Sequence, residues 1–224
     1  MNIAAIIPAS GSGQRFGSQK QFLEINKKPL WLHAVLPFYD SKIIKEIILV
    51  VPENFVDNIS SKVINLGLND KLNIVKGGGS RAKSVYNGLM SISASAELIC
   101  IHDAARPFIS HELIMQVIEG VRNNDGAIAA IPVVDTLKKT FKDGYIIRTV
   151  NRASLWQAQT PQVFRKNILV TSIKKAIKNN LIYTDESTLM EKFGFRIKVV
   201  NGLIGNLKIT NESDWGFVKK MFDV

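Results

Sequence analysis

Four short, almost uninterrupted apolar runs recur along this chain: Ile3–Ile7, Ile47–Val51, Leu98–Ile101 and Ala127–Val133. Longer amphipathic stretches separate them. A strand with one wet face alternates polar and apolar residues, whereas a run without alternation belongs to a strand covered on both faces. Parallel sheets need such strands, because their crossover connections lay helices on both sides. The intervening stretches supply those helices. Pro29–Tyr39 carries proline in its first turn, with Leu30, Ala34 and Leu36 on one face. Ser110–Arg122 opens on Ser110 as N-cap, with Leu113 and Val117 inward. A helix from about Ser80 turns Val85 and Leu89 inward. This order predicts an α/β layered fold.

The pattern changes after Pro132. Leu137–Phe141 and Tyr145–Val150 flank Lys142-Asp143-Gly144, and Asp-Gly between β-prone runs signals a hairpin. A two-stranded ribbon has little core of its own. It is therefore expected to project as an arm at about residues 135–155 and to pack against a second subunit. Helices at Lys166–Lys178 and Asp185–Lys192, a strand at Arg196–Val200 and a last helix from Glu212, capped by Asn211, complete the reading. No repeat, low-complexity segment or linker divides the chain, so residues 1–224 are read as a single domain with an arm.

Hydrophobic residues make up 46% and charged residues 21%, which supports a buried core and excludes disorder for the whole chain. The formal charge of +10 favours an anionic partner. The lysines are scattered and form no block typical of a nucleic-acid tail. Cys100 is the one cysteine, inside an apolar run, so it is expected to be a buried inert thiol, and neither a disulfide nor a cysteine metal cluster is available. Met1–Pro8 reads as a strand and not as a secretory leader. No run reaches the ~18 apolar residues of a membrane span. A cytoplasmic location, with no membrane partner, is the expectation.

Ala9-Ser10-Gly11-Ser12-Gly13-Gln14-Arg15-Phe16-Gly17 follows the first strand directly. Ligands of open α/β sheets sit at the carboxyl ends of the strands. Gly11 and Gly13 allow backbone N–H groups to approach an anion closely. The loop lacks the Gly-Lys-Ser/Thr ending of a P-loop, and Phe16 stands where a dinucleotide fingerprint needs its third glycine. What remains is a glycine nest beside two cations, Arg15 and Lys20. Cations suit an attack of one phosphate on another. Like unit charges about 4 Å apart repel by ~4 kcal/mol at an effective dielectric near 20. Positioned cations and a divalent metal remove that cost and stabilise the transition state.

Further segments lie at strand ends or in loops: Gly77-Gly78-Gly79-Ser80-Arg81, His102-Asp103-Ala104-Ala105-Arg106-Pro107, Pro132-Val133-Val134-Asp135-Thr136, Gln159-Thr160-Pro161-Gln162 and Asn206-Leu207-Lys208-Ile209-Thr210. Each alone is compatible with a plain turn, cap or surface charge. Together, with Lys20-Gln21, Lys138 and Thr184-Asp185-Glu186, they resemble the 2-C-methyl-D-erythritol 4-phosphate cytidylyltransferases of the non-mevalonate isoprenoid pathway. The resemblance runs from Ile3 to the last helix.

That resemblance implies a Rossmann-like nucleotidyltransferase fold with a mostly parallel sheet and a homodimer made through the arm. It implies a reaction of CTP with 2-C-methyl-D-erythritol 4-phosphate, with Mg²⁺ as the divalent metal, giving the CDP-alcohol and pyrophosphate. Arg15, Lys20 and Lys208 match the catalytic cations. Ala9, Ser10, Gly11, Gly13, Gly78, Ser84 and Asp103 fall where the family binds the nucleotide. Asp103, Arg106, Thr136, Arg152 and Thr160 fall at the methylerythritol phosphate site, with Arg152 reaching the partner subunit from the arm. No direct metal ligand is assigned, although Asp103 lies nearby. The sequence departs from the family at Gln19, which replaces a usual proline before Lys20, and at Gly79, where some relatives carry a polar residue. The nearest rival is a cytidylyltransferase for another polyol phosphate, such as ribitol 5-phosphate. An RNA-binding module rests on charge alone and lacks an RNP-type aromatic strand.

Overall fold

The computed structural model describes residues 2–13 and 16–222. In chain order its elements are β1 (Ile3–Pro8), β2 (Glu24–Ile25), β3 (Lys28–Pro29), α1 (Leu30–Tyr39), β4 (Ile44–Val51), α2 (Val56–Asn65), β5 (Leu72–Lys76), α3 (Arg81–Ser91), β6 (Leu98–Ile101), α4 (His111–Gly120), β7 (Gly126–Pro132), β8 (Leu137–Thr140), β9 (Ile146–Val150), β10 (Trp156–Arg165), α5 (Lys166–Lys178), α6 (Glu186–Lys192), β11 (Ile197–Asn201) and α7 (Glu212–Phe222).

Seven strands form one sheet in the order β11-β7-β10-β6-β1-β4-β5. β6, β1, β4 and β5 pair in parallel. β10 runs antiparallel to both β6 and β7, and β11 is parallel to β7. The sheet is thus mostly parallel, with β10 inserted against the grain.

The continuous apolar runs do what continuous runs should. Along β1, Ile3, Ala5 and Ile7 enter one core, and Ala4 and Ile6 enter the other. Ile47, Leu49 and Val51 of β4 follow the first set, Ile48 and Val50 the second. α1, α2 and α4 cover the first face through Trp31, Phe38, Val63 and Val117; α3, α5 and α6 cover the second through Val85, Leu89, Ile173 and Leu189. Each such side chain, fully buried, contributes about 1.5–3 kcal/mol of transfer free energy. Gly88 lets α3 lie close on the sheet, since a Cβ there would sit 2.9 Å from Ile6 Cγ2 and 3.0 Å from Val50 Cγ2. α7 packs through Val218 on Ile25, Leu30 and Ile209 in a third, smaller cluster.

Ser110 and Asn211, read from the sequence as caps, act as caps, and Ser80 and Asp185, read there only as helix starts, do so as well. Ser80 Oγ accepts from Lys83 N, Ser110 Oγ from Leu113 N, Asp185 Oδ1 from Thr188 N and Asn211 Oδ1 from Asp214 N. Pro29 differs slightly from expectation: it stands just before α1, in extended backbone, and not within the first turn. Cys100 is buried, and burial pushes its thiol up. β8 and β9 form a two-stranded sheet apart from the main one. Phe141, Tyr145 and Ile146 of this hairpin are exposed by 60–73%. Among the described residues no helix is long and apolar enough to cross a membrane.

Candidate active site

The loop after β1 is held from beneath. Gln21 donates through Nε2 to the carbonyls of Ala9 (2.8 Å) and Gly11 (2.9 Å). Gly13 takes a φ of +70°, and a Cβ there would run into the Ser18 carbonyl. The loop is also tied to the turn between β5 and α3: Ser10 Oγ lies 2.7 Å from Ser84 Oγ, which accepts from Gly78 N at 3.0 Å. A Cβ on Gly77 would meet the Ser10 side chain, so glycine is needed for the two loops to touch.

These loops border a cleft of about 490 Å³ at the carboxyl end of the sheet, within the usual range for small-ligand sites. Ala9, Ser10, Gly11 and Gly13 line one side, Gly78 and Gly79 another, and Lys20, Arg81, Asp103 and Lys208 supply the charges. Three cations thus face one carboxylate, which suits an anionic ligand. Lys20 opens a short turn, Lys20–Phe22, with Nζ 5.5 Å from the centre of the Phe16 ring.

Asp103 follows β6 and is the electrostatic centre. Lys208 Nζ donates to its Oδ2 at 2.7 Å, Arg81 Nε to its Oδ1 at 3.4 Å, and Arg106 Nε lies 3.8 Å from Oδ2. Burial alone would raise its carboxyl, but Arg81, Lys208 and Arg106 outweigh burial and hold it well below the usual carboxylate range. Arg81 Nη1 donates to both carboxylate oxygens of Glu186 at 2.8 Å. Glu186 is fully buried. Burial pushes its carboxyl up, and Arg81 opposes that shift.

Asp103, Arg81 and Lys208 also line a second, smaller cleft with Arg106, Thr160 and Asp185. A buried relay supports it. His102 has a pKa pushed down to about 4 by burial and is therefore neutral at pH 7. Its Nε2 lies 3.0 Å from the Arg106 carbonyl, which can only accept, so the ring proton sits there. Nδ1 then accepts from Thr160 Oγ1 at 3.0 Å, and the same hydroxyl accepts from Asp103 N at 3.0 Å. Arg106 Nη1 donates to the Asn206 carbonyl at 2.7 Å, and Asn206 Nδ2 donates to the Thr160 carbonyl at 2.8 Å. Ile209 N bonds to the Ala105 carbonyl, bringing Lys208 to the cleft.

Most residues marked in the sequence therefore converge. Ala9, Ser10, Gly11, Gly13, Gly78, Lys20, Lys208 and Asp103 line the main cleft. Ser84 lies beneath it, fully buried. Arg106 and Thr160 line the second cleft, with the Thr160 proton committed to His102. Arg15 lies outside the described residues. Thr136 and Arg152 are exposed and line neither cleft of their own chain. The sequence reading assigned no role to Arg81 or Glu186, although both fall in segments it singled out; 105 residues separate them, and no local spacing announces the pair.

Among the described residues no group of three or more His, Cys, Asp or Glu side chains is placed to hold a metal ion. Asp103 is the single carboxylate among the described residues that line the main cleft. That donor set suits Mg²⁺ carried by a triphosphate, which takes most of its ligands from phosphate and water.

Comparison with known proteins agrees with this geometry. Residues 3–222 match the family described as 2-C-methyl-D-erythritol 4-phosphate cytidylyltransferase (IspD). The protein of that name from Syntrophus aciditrophicus is 39% identical over 218 residues, covering 95% of this chain and 92% of the relative. The one from Aquifex aeolicus is 37% identical over 217 residues, covering 97% and 96%. The crystal structure of 4-diphosphocytidyl-2C-methyl-D-erythritol synthase from Anaerococcus prevotii superposes with a TM-score of 0.87 at 32% identity, covering 99% of this chain and 98% of that one.

Proposed function

From the premise that the chain belongs to the 2-C-methyl-D-erythritol 4-phosphate cytidylyltransferase family, we propose that it transfers the cytidylyl group of CTP to 2-C-methyl-D-erythritol 4-phosphate, releasing pyrophosphate. The observation that carries this reading is the convergence of Lys20, Lys208 and the glycine-bearing loop on one cleft. The base and ribose of CTP lie against the Ala9–Gly13 loop and the Gly78–Ser84 turn. The triphosphate faces Lys20, and Arg15 is assigned to it by its match to the family's catalytic cations. An oxygen of the substrate phosphate attacks the α-phosphorus, a new P–O bond forms, and the bond to the β-phosphate breaks. The attacking phosphate is already ionised, so no general base and no covalent enzyme intermediate are needed. Lys20, Arg15 and Lys208 stabilise the charge that grows around the α-phosphorus.

Asp103 would face a Mg²⁺ carried by the triphosphate, and that ion would supply neutralisation of phosphate charge. Arg106 and the second cleft receive the polyol phosphate. Thr136 and Arg152 serve the cleft of a partner subunit, in a homodimer made through the hairpin arm. The whole chain acts as one nucleotidyltransferase domain in the cytoplasm. The deciding experiment is pyrophosphate release from each of the four nucleoside triphosphates, with and without methylerythritol phosphate. CTP with methylerythritol phosphate is expected to be the productive pair. Faster turnover of ribitol 5-phosphate would assign a different polyol.

A further inference from the structure

Three charged side chains line both clefts: Asp103, Lys208 and Arg81. We propose that Arg81 is a further catalytic cation of this site, donating to the reacting phosphates in the transition state, and that Glu186 is the positioning residue that holds its guanidinium between the two clefts. The inference rests on the cytidylyl-transfer reading and deepens it.

The geometry separates the two ends of the Arg81 fork. Nη1 is bound to Glu186 by two short hydrogen bonds, and Nε reaches Asp103. Nη2 makes no hydrogen bond to any described residue, and the side chain keeps 29% of its surface exposed. A guanidinium that served only to neutralise Glu186 would have no reason to stand in the walls of two clefts with one amino group unused. On the cytidylyl-transfer reading that group is left to donate to a phosphate, since Arg81 lines both clefts. The plane of the fork is fixed, so Nη2 is pre-aimed, and little freedom is lost when an anion arrives.

Glu186 supplies the fixing. It is fully buried and stands first in α6, directly after the capping Asp185. A buried ion pair is weak evidence for stability, because desolvation consumes most of the attraction. Its consequence here is geometric. Arg81 opens α3, next to the turn that meets Ser10, whereas Glu186 is buried directly after Thr184 and Asp185, which line the second cleft. Asp185 and Ser187 beside it bond to Gln162 of β10. Without Glu186, the guanidinium would swing toward Asp103 and compete with Lys208 for the same carboxylate.

The test is a double-mutant cycle on the full chain, with Arg81→Gln, Glu186→Gln and both together. Pyrophosphate release is measured per folded enzyme, the folded fraction coming from circular dichroism. Arg81→Gln is expected to lower kcat roughly 10- to 100-fold, the usual worth of a charged hydrogen bond, with both KM values within about threefold. Glu186→Gln is expected to lower kcat comparably, and the double variant no further than Arg81→Gln alone. Glu186→Gln removes the charged partner of Arg81 Nη1 and risks destabilising the fold; the neutral double variant removes that hazard and keeps the proposal exposed to refutation. Additive losses, or a double variant with wild-type kcat, would overturn it. Wild-type turnover with Arg81→Gln unaffected overturns this proposal alone. No pyrophosphate from the wild-type protein overturns the functional reading and this inference with it.

Discussion

The two walls that meet at Asp103 are built by different means. The wall formed by the β1 loop and the β5–α3 turn is made of backbone, small side chains and glycine, with Gln21 and Ser84 bonded behind it. The wall formed by β10, α6 and the Asn206–Ile209 segment is tied by side chains bonded to one another, His102 to Thr160, Arg81 to Glu186 and Gln162 to Asp185, and by Arg106 to the Asn206 carbonyl. A backbone wall admits a flat base and a polyphosphate closely. A side-chain wall fixes charge and shape through its mutual bonds, because buried polar groups need partners.

Breaking the contrast at Lys20 gives the largest effect. Lys20 lies on the backbone wall and supports little of the core. Lys20→Ala is expected to lower kcat roughly 100- to 1,000-fold, as loss of one transition-state donor does elsewhere, with the melting temperature unchanged. Near-normal pyrophosphate release would remove Lys20 from the catalytic set.

The side-chain wall should respond through stability instead. In the unfolded chain an imidazole titrates near 6.5, whereas His102 is held near 4 in the fold. Between those values the unfolded state binds a proton that the folded state refuses. Stability therefore rises with pH through this window and falls on acidification, by an amount of order 3 kcal/mol when complete. His102→Gln removes that component of the slope. Urea unfolding at about pH 7 and pH 5 tests this, and identical pH slopes for both proteins would refute it.

Two neighbouring glycines sharpen the contrast further. Gly13 has a positive φ and no room for a Cβ, whereas Gly11 has nothing within 4 Å of its would-be Cβ. Gly13→Ala is expected to cost about 1–3 kcal/mol through backbone strain and to raise KM for CTP. Gly11→Ala should leave stability within about 0.5 kcal/mol. Equal effects in thermal unfolding would mean that the loop is not held as described.

The same contrast explains what the sequence could reveal. β6 is legible because Leu98–Ile101 is apolar throughout and polar residues bracket it. The β1 loop is legible because its glycines act locally. β10 was not read as a strand. Gln157, Gln159 and Gln162 break its apolar pattern, and its register shifts between Ala158 and Gln162, where it turns side chains into the site. Polarity there serves the second cleft, so the feature that makes the strand functional also hides it. β5 and α2 were missed for a plainer reason: an edge strand and a surface helix carry few buried residues. The Arg81–Glu186 contact joins distant segments and becomes visible only once the sheet order is known.

The arm supplies the last comparison, because it is the one marked region that reaches neither cleft of its own chain. Arg152 is exposed beside β9, so its removal should leave the melting temperature unchanged. Arg152→Ala is expected to raise KM for methylerythritol phosphate about tenfold while KM for CTP holds, as loss of one exposed charged contact would. The decisive version mixes subunits. A Lys20→Ala chain retains its arm, and an Arg152→Ala chain retains its cleft. If Arg152 serves the neighbouring cleft, each mixed dimer contains one complete site. Equal mixing then restores about a quarter of wild-type activity at low methylerythritol phosphate, since half of the dimers are mixed and half of their sites are complete. If Arg152 acted within its own chain, mixing would restore nothing, because no chain would carry both residues.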